Sequence, residues 1–128
     1  MFTGLTKEDN RNIGFVISGL YRDAIDYSDL REWCFYVVSL IPVEECPAYI
    51  FDLMDFEGPL AKITKVVGFT PDWNLTPEME AALFGIAIKR GRQPYDMPIT
   101  EASALAALDS CKEVVEQFRE NFPFISLE

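Results

Sequence analysis

Apolar residues recur at helical spacing along most of this chain, most clearly between Thr76 and Arg92. That stretch, TPEMEAALFGIAIKRGR, carries a start signal, an apolar body and a stop signal. Thr76 can accept hydrogen bonds from first-turn amides. Pro77 suits the first helical position, where its missing N–H has no partner to lose. Glu78 and Glu80 put negative charge on the positive end of the helix dipole, and Lys89 and Arg90 put positive charge on the other end. Gly91 can take the left-handed stop. Between the ends, Met79, Ala81, Ala82, Leu83, Phe84, Ile86, Ala87 and Ile88 cover nearly the whole circumference, which predicts a buried helix. Gly85 weakens such a helix by roughly 1 kcal/mol relative to Ala. Its place in an apolar run predicts close approach of a neighbouring helix.

The same periodicity predicts six more helices. From Lys7 to Asp26 the repeat is Ile13, Val16, Ile17, Leu20 and Ala24, with Thr6 as cap and Met1 to Thr6 as a loose arm. From Ser28 to Leu40 the stripe is Leu30, Trp33, Cys34, Val37, Val38 and Ile41. Ser28 is the expected cap there, and the Ile41-Pro42 step the expected end. Pro47 opens a third helix running to about Phe56. A fourth runs from Leu60 to Val67 and closes at Gly68. Phe69 to Leu75 reads as a loop with Phe69 and Trp73 as aromatic anchors, and Arg92 to Ile99 as a second loop with two prolines. Thr100 caps a sixth helix, Glu101 to Leu108. Asp109 or Ser110 opens a seventh, with Val114, Val115, Phe118 and Phe122 inward and Pro123 ending it. No Val/Ile/Thr-rich run alternates strictly, so no strand is expected. The expected fold is all-α, a single-domain bundle of about seven helices over residues 1–128 around the central Thr76–Gly91 helix.

Composition narrows the function classes. The 128 residues are 49% hydrophobic with ten Phe, enough for a packed core without disulfide or metal. Cys34, Cys46 and Cys111 show no C-x-x-C spacing and there is no His, which argues against a disulfide framework and a zinc site. No apolar run approaches the roughly 18 residues of a membrane span, and MFTGLTKEDNRN lacks the pattern of a secretory signal. A cytoplasmic protein is expected. The terminal Leu127-Glu128 pair matches a common cloning scar. The net charge of −10 makes nucleic acid and anionic membrane poor direct partners, and a basic protein a favourable one.

Without His, Ser-His and Cys-His nucleophile systems are excluded, and no glycine-rich phosphate cradle occurs. Carboxylates alone could build a metal-dependent hydrolase, with Asp52 and Asp55 plus Asp23 and Asp26 as candidate pairs. The Glu-x-x-His motif of carboxylate-bridged bundles is absent, and Asp residues three apart on a helix usually form a solvated face. The expectation is no catalytic site, no metal and no cofactor.

Charge distribution says more. From Glu44 to Glu57 the acids Glu44, Glu45, Asp52, Asp55 and Glu57 occur with no Lys or Arg, interleaved with Tyr49, Phe51 and Phe56. Acids around aromatic anchors suit an interface for a basic partner. The candidate contact residues are Glu44, Glu45, Tyr49, Asp52, Asp55 and Glu57, with Asp23, Asp26 and Asp29 as second contributors. An interface puts an aromatic side chain at the surface among the acids. A plain solvated face puts none there.

The phrases YIFDLMDFEGPL, FTPDWNLT, LFGIAIKRG and FRENFPFI resemble those of small helical bacterial immunity proteins encoded beside polymorphic or contact-dependent growth inhibition toxins. The likeness covers roughly the last two-thirds of the chain and carries over no site residues. It implies a cytosolic protein that binds one cognate toxin domain, such as a basic nuclease, and blocks it by occlusion. A carboxylate-metal hydrolase and a generic regulatory interaction domain are the alternatives.

Overall fold

Helices form at each of the seven places where apolar spacing predicts one, and local hydrogen bonding sets their ends. The structure, a computed structural model, describes residues 2–71 and 75–127. Along them run α1 (Arg11–Tyr21), α2 (Tyr27–Leu40), α3 (Tyr49–Leu53), a 3-10 turn (Leu60–Lys62), α4 (Ile63–Val67), α5 (Pro77–Lys89), α6 (Glu101–Ser110) and α7 (Lys112–Asn121). There is no strand among the described residues, so the fold is all-α. The expected anchor Trp73, with Asp72 and Asn74, lies outside the described residues. By its contacts the chain divides into two compact units, residues 1–17 with 26–73 and residues 18–25 with 74–128.

In the first unit the N-terminal segment is fastened, contrary to the loose arm expected. The Gly4 carbonyl accepts from the amides of Asn12 and Ile13 at 2.9 and 3.0 Å, which are first-turn donors of α1. The buried Asn12 side chain donates to the Thr3 carbonyl at 2.8 Å. Two fixed points on one short segment outweigh the usual fraying of a chain end. The same bonds explain why α1 starts at Arg11 and not Lys7. Thr6 closes a separate turn, its hydroxyl accepting from Asp9 N–H at 3.1 Å.

Helix α2 begins one residue before the expected cap. Asp26, not Ser28, caps it: Asp26 accepts from Asp29 N–H and Asp29 accepts from Asp26 N–H, each at 2.9 Å. This reciprocal box satisfies two donors at once, which a lone Ser28 hydroxyl would not. The helix ends before Pro42 as expected and buries Leu30, Trp33, Cys34 and Val37. Helix α3 is shorter than its apolar run. Beyond Leu53 the chain is held by α2 and its approach: Arg31 Nε donates to Met54 O at 3.2 Å, and Tyr27 donates to Gly58 O at 2.7 Å. The Tyr27 ring stands edge-on to Phe56 at 5.3 Å. Helix α4 stops at Gly68, whose φ of 93° is the left-handed conformation expected there.

The second unit centres on α5. Thr76 accepts from Met79 N–H at 3.1 Å, Pro77 opens the helix and Gly91 adopts φ 80° beyond its end. The Arg92 amide reaches back to Ala87 O at 2.9 Å, which completes the stop. Ala82 through Ala87 are all buried. The expected close neighbour is α6. A Cβ on Gly85 would lie 2.4 Å from the Ala104 carbonyl oxygen and 2.8 Å from Leu108 Cβ. Thr100 caps α6 through Ser103 N–H at 3.1 Å. Ser110, expected to open α7, instead donates to Ala107 O at 3.2 Å and closes α6. Cys111 alone therefore separates α6 from α7. Phe118 and Phe122 are buried at the far end of α7, with ring centroids 5.0 Å apart.

Helix propensity alone favours Ala over Gly at position 85 by roughly 1 kcal/mol. The clash with Ala104 O reverses that sign, because backbone cannot swing aside. Gly85→Ala is expected to lower unfolding free energy by about 1–3 kcal/mol, as overpacked cores do. Urea denaturation measures it, and a stabilised variant would disprove the close crossing.

Candidate partner-binding surface

Pro42 ends α2 and begins a tight turn. Its carbonyl accepts from the amides of Glu45 and Cys46 at 2.9 and 3.1 Å. The turn throws Val43, Glu44 and Glu45 outward, all exposed. Helix α3 follows and turns Tyr49, Ile50 and Leu53 inward. At 100° per residue Phe51 and Asp52 then face outward, and both are exposed. Asp55 and Glu57 beyond the helix are exposed too. The structure therefore places all five acids of the segment at the surface of the first unit. Val43 is 69% exposed and Phe51 41% exposed among them.

Tyr49 requires a correction. It is expected as an anchor between the acids, yet it is only 8% exposed. Its hydroxyl donates to the Leu5 carbonyl, and its ring stands edge-on to Phe69 at 6.0 Å. Loss of solvation pushes its phenol well above the ordinary tyrosine range, with Cys46 and Cys34 adding to the effect. Tyr49 is a structural strut, and Phe51 is the aromatic that faces solvent.

The second contributors separate. Asp26 and Asp29 hold the α2 capping box in the first unit. Asp23 belongs to the second unit. It adopts φ 61°, and its carboxylate accepts from Tyr95 N–H at 3.1 Å. The left-handed Asp23 ends α1, with Ala24 N–H returning to Gly19 O at 3.0 Å. These three acids have structural duties before any binding role.

Periodicity alone passed over Phe35, which is 56% exposed on α2. It lies one turn along from Arg31, whose guanidinium reaches the end of α3, so it stands on the same side of α2. The signal was present: Phe35 falls off the apolar stripe of that helix, and a large aromatic off the stripe must meet solvent or a partner.

No group of three or more Asp, Glu, Cys or His side chains that could hold a metal occurs among the described residues. Cys34 and Cys111 are buried and Cys46 half-buried, all as free thiols. Burial pushes the Cys34 thiol up to about 12, with Cys46 contributing. No helix of the described residues is long and apolar enough to cross a membrane. No family model matches the chain, and neither a curated protein nor a solved structure matches it.

Tyr49→Phe leaves the Leu5 carbonyl without its donor, and is expected to cost about 1–3 kcal/mol by urea denaturation. The thiol gives a pH dependence. The unfolded Cys34 thiol ionises near its ordinary 9.0 while the folded one holds its proton to about 12. The unfolded state then binds fewer protons, so stability is full below that lower value and falls as pH climbs towards the upper one. Cys34→Ala is expected to flatten part of this alkaline loss, read from urea midpoints across the same range.

Proposed function

We propose that this chain is an immunity-type binding protein that neutralises a basic toxin domain by occlusion, using the acidic face of its first unit. The supporting observation is the exposure of Phe51 and Val43 among Glu44, Glu45, Asp52, Asp55 and Glu57. A purely solvated face gains nothing from a half-exposed phenylalanine. A binding face gains from it, because a few apolar anchors carry most interface energy while the surrounding charges steer and exclude water. The acids meet a cationic surface that would otherwise bind phosphate, and Phe51 enters a pocket on the partner. Resemblance to immunity proteins and the strong net negative charge point the same way.

The first test is whether a basic toxin domain is encoded beside this chain, and the binding tests use that domain. Coexpression is expected to protect cells from it. Phe51→Ala is expected to cost about 2 kcal/mol or more in affinity. Asp52→Lys and Asp55→Lys are each expected to weaken binding about tenfold or more, mainly through faster dissociation if buried. Glu44→Lys should act on association, with an effect that fades once the Debye length falls below about 8 Å. Glu113→Lys and Glu120→Lys on α7 serve as controls. Equal losses from controls and segment would leave only net charge and remove this surface. Full protection by the Phe51→Ala/Asp52→Lys/Asp55→Lys variant would remove it as well.

A further inference from the structure

The second unit contains a cavity of about 510 Å³ formed by the ends of α5 and α6 and one stripe of α7. Lys112, Val115, Glu116 and Arg119 recur at spacings of three and four, so they share one face of α7 and line one wall. Lys89, the last residue of α5, lines it with Leu108 and Asp109 from the end of α6. The apolar part is Leu108, Val115 and Leu127, of which Leu108 and Leu127 are buried. The volume lies within the range of small-molecule sites, roughly 300–1,000 Å³.

The charge of the lining is unlike that of the chain. Acids outnumber bases 21 to 11 overall, yet here three bases meet two acids. Lys89, Lys112 and Arg119 form no ion pair or hydrogen bond among the described residues. Glu116 lies within one turn of both Lys112 and Arg119 without closing a pair with either. Side chains that satisfy no neighbour around an apolar recess are available to a ligand. The two acids oppose a bare multivalent anion and leave room for a single negative charge.

We propose that this cavity binds a small amphipathic anion, a carboxylate on an apolar body. Lys112 and Arg119 hold the carboxylate with Lys89 beside them, and the body lies on Leu108, Val115 and Leu127. The proposal does not rest on the function proposed for the first unit, and its test needs no toxin.

Decanoate serves as the probe, followed by amide chemical shifts on the full chain. Binding is expected with a Kd below about 1 mM, with shifts centred on Leu108, Val115 and Leu127. Decanol and decylamine, of the same length but neutral or cationic, are expected to bind at least about tenfold more weakly, and inorganic phosphate not measurably. The variant Lys89→Gln/Lys112→Gln/Arg119→Gln changes only exposed side chains. It is expected to lose about tenfold in decanoate affinity, as three exposed charges can supply. Lys62→Gln/Lys65→Gln is expected to change nothing. Absence of decanoate binding, equal binding of decanol or decylamine, or full affinity in the triple variant would each overturn the proposal.

Discussion

Between α5 and α6 the two backbones approach until there is no room for a methyl group. Gly85 faces the Ala104 carbonyl directly, and any Cβ there would sit at 2.4 Å. Much of the second unit depends on that contact. It requires a residue without a side chain on α5, because α6 sets the Ala104 backbone and the Leu108 side chain against that point. It brings the end of α6 beside the end of α5, and the one-residue Cys111 link then starts α7 at the same place. Lys89, Asp109 and Lys112 are consequently neighbours around one cavity, although they belong to three helices. A looser crossing would separate them.

The first unit depends on buried polar groups that are nonetheless satisfied. Asn12 holds the Thr3 carbonyl and Tyr49 holds the Leu5 carbonyl. Each bond fixes a short segment that lacks secondary structure of its own, and each would be costly to leave half-made. Because Tyr49 is drawn inward for this purpose, the register of α3 is set, and Phe51 and Asp52 face outward. The composition of the outer surface thus follows from an inner hydrogen bond.

Elements with self-contained signals were legible in the sequence. The α5 helix carried its cap, its proline and its left-handed glycine within seventeen residues, and each took the expected role. The same holds for Gly68, Thr100 and the step before Pro42. Failures came where another partner, distant or local, competed for the same group. Tyr49 looked like a surface anchor because its neighbours are acids, and nothing local shows that Leu5 would accept from its hydroxyl. The α3 helix looked longer because its apolar run is longer, but Arg31 and Tyr27 claim the carbonyls beyond it. Ser110 looked like a cap and was used to close the preceding helix. The acids of the candidate surface were legible by composition. Its exposed aromatics, Phe35 and Phe51, needed the helix orientations.

The two buried thiols have a further consequence. Cys34 lies in the first unit and Cys111 in the second, each shielded from solvent. A thiol hidden in this way reacts only during moments when its surroundings open, so its modification rate counts those openings. The chain therefore carries one native clock in each unit, with no label added. Two clocks at one rate describe a molecule that opens cooperatively, and two at different rates describe units that breathe on their own schedules.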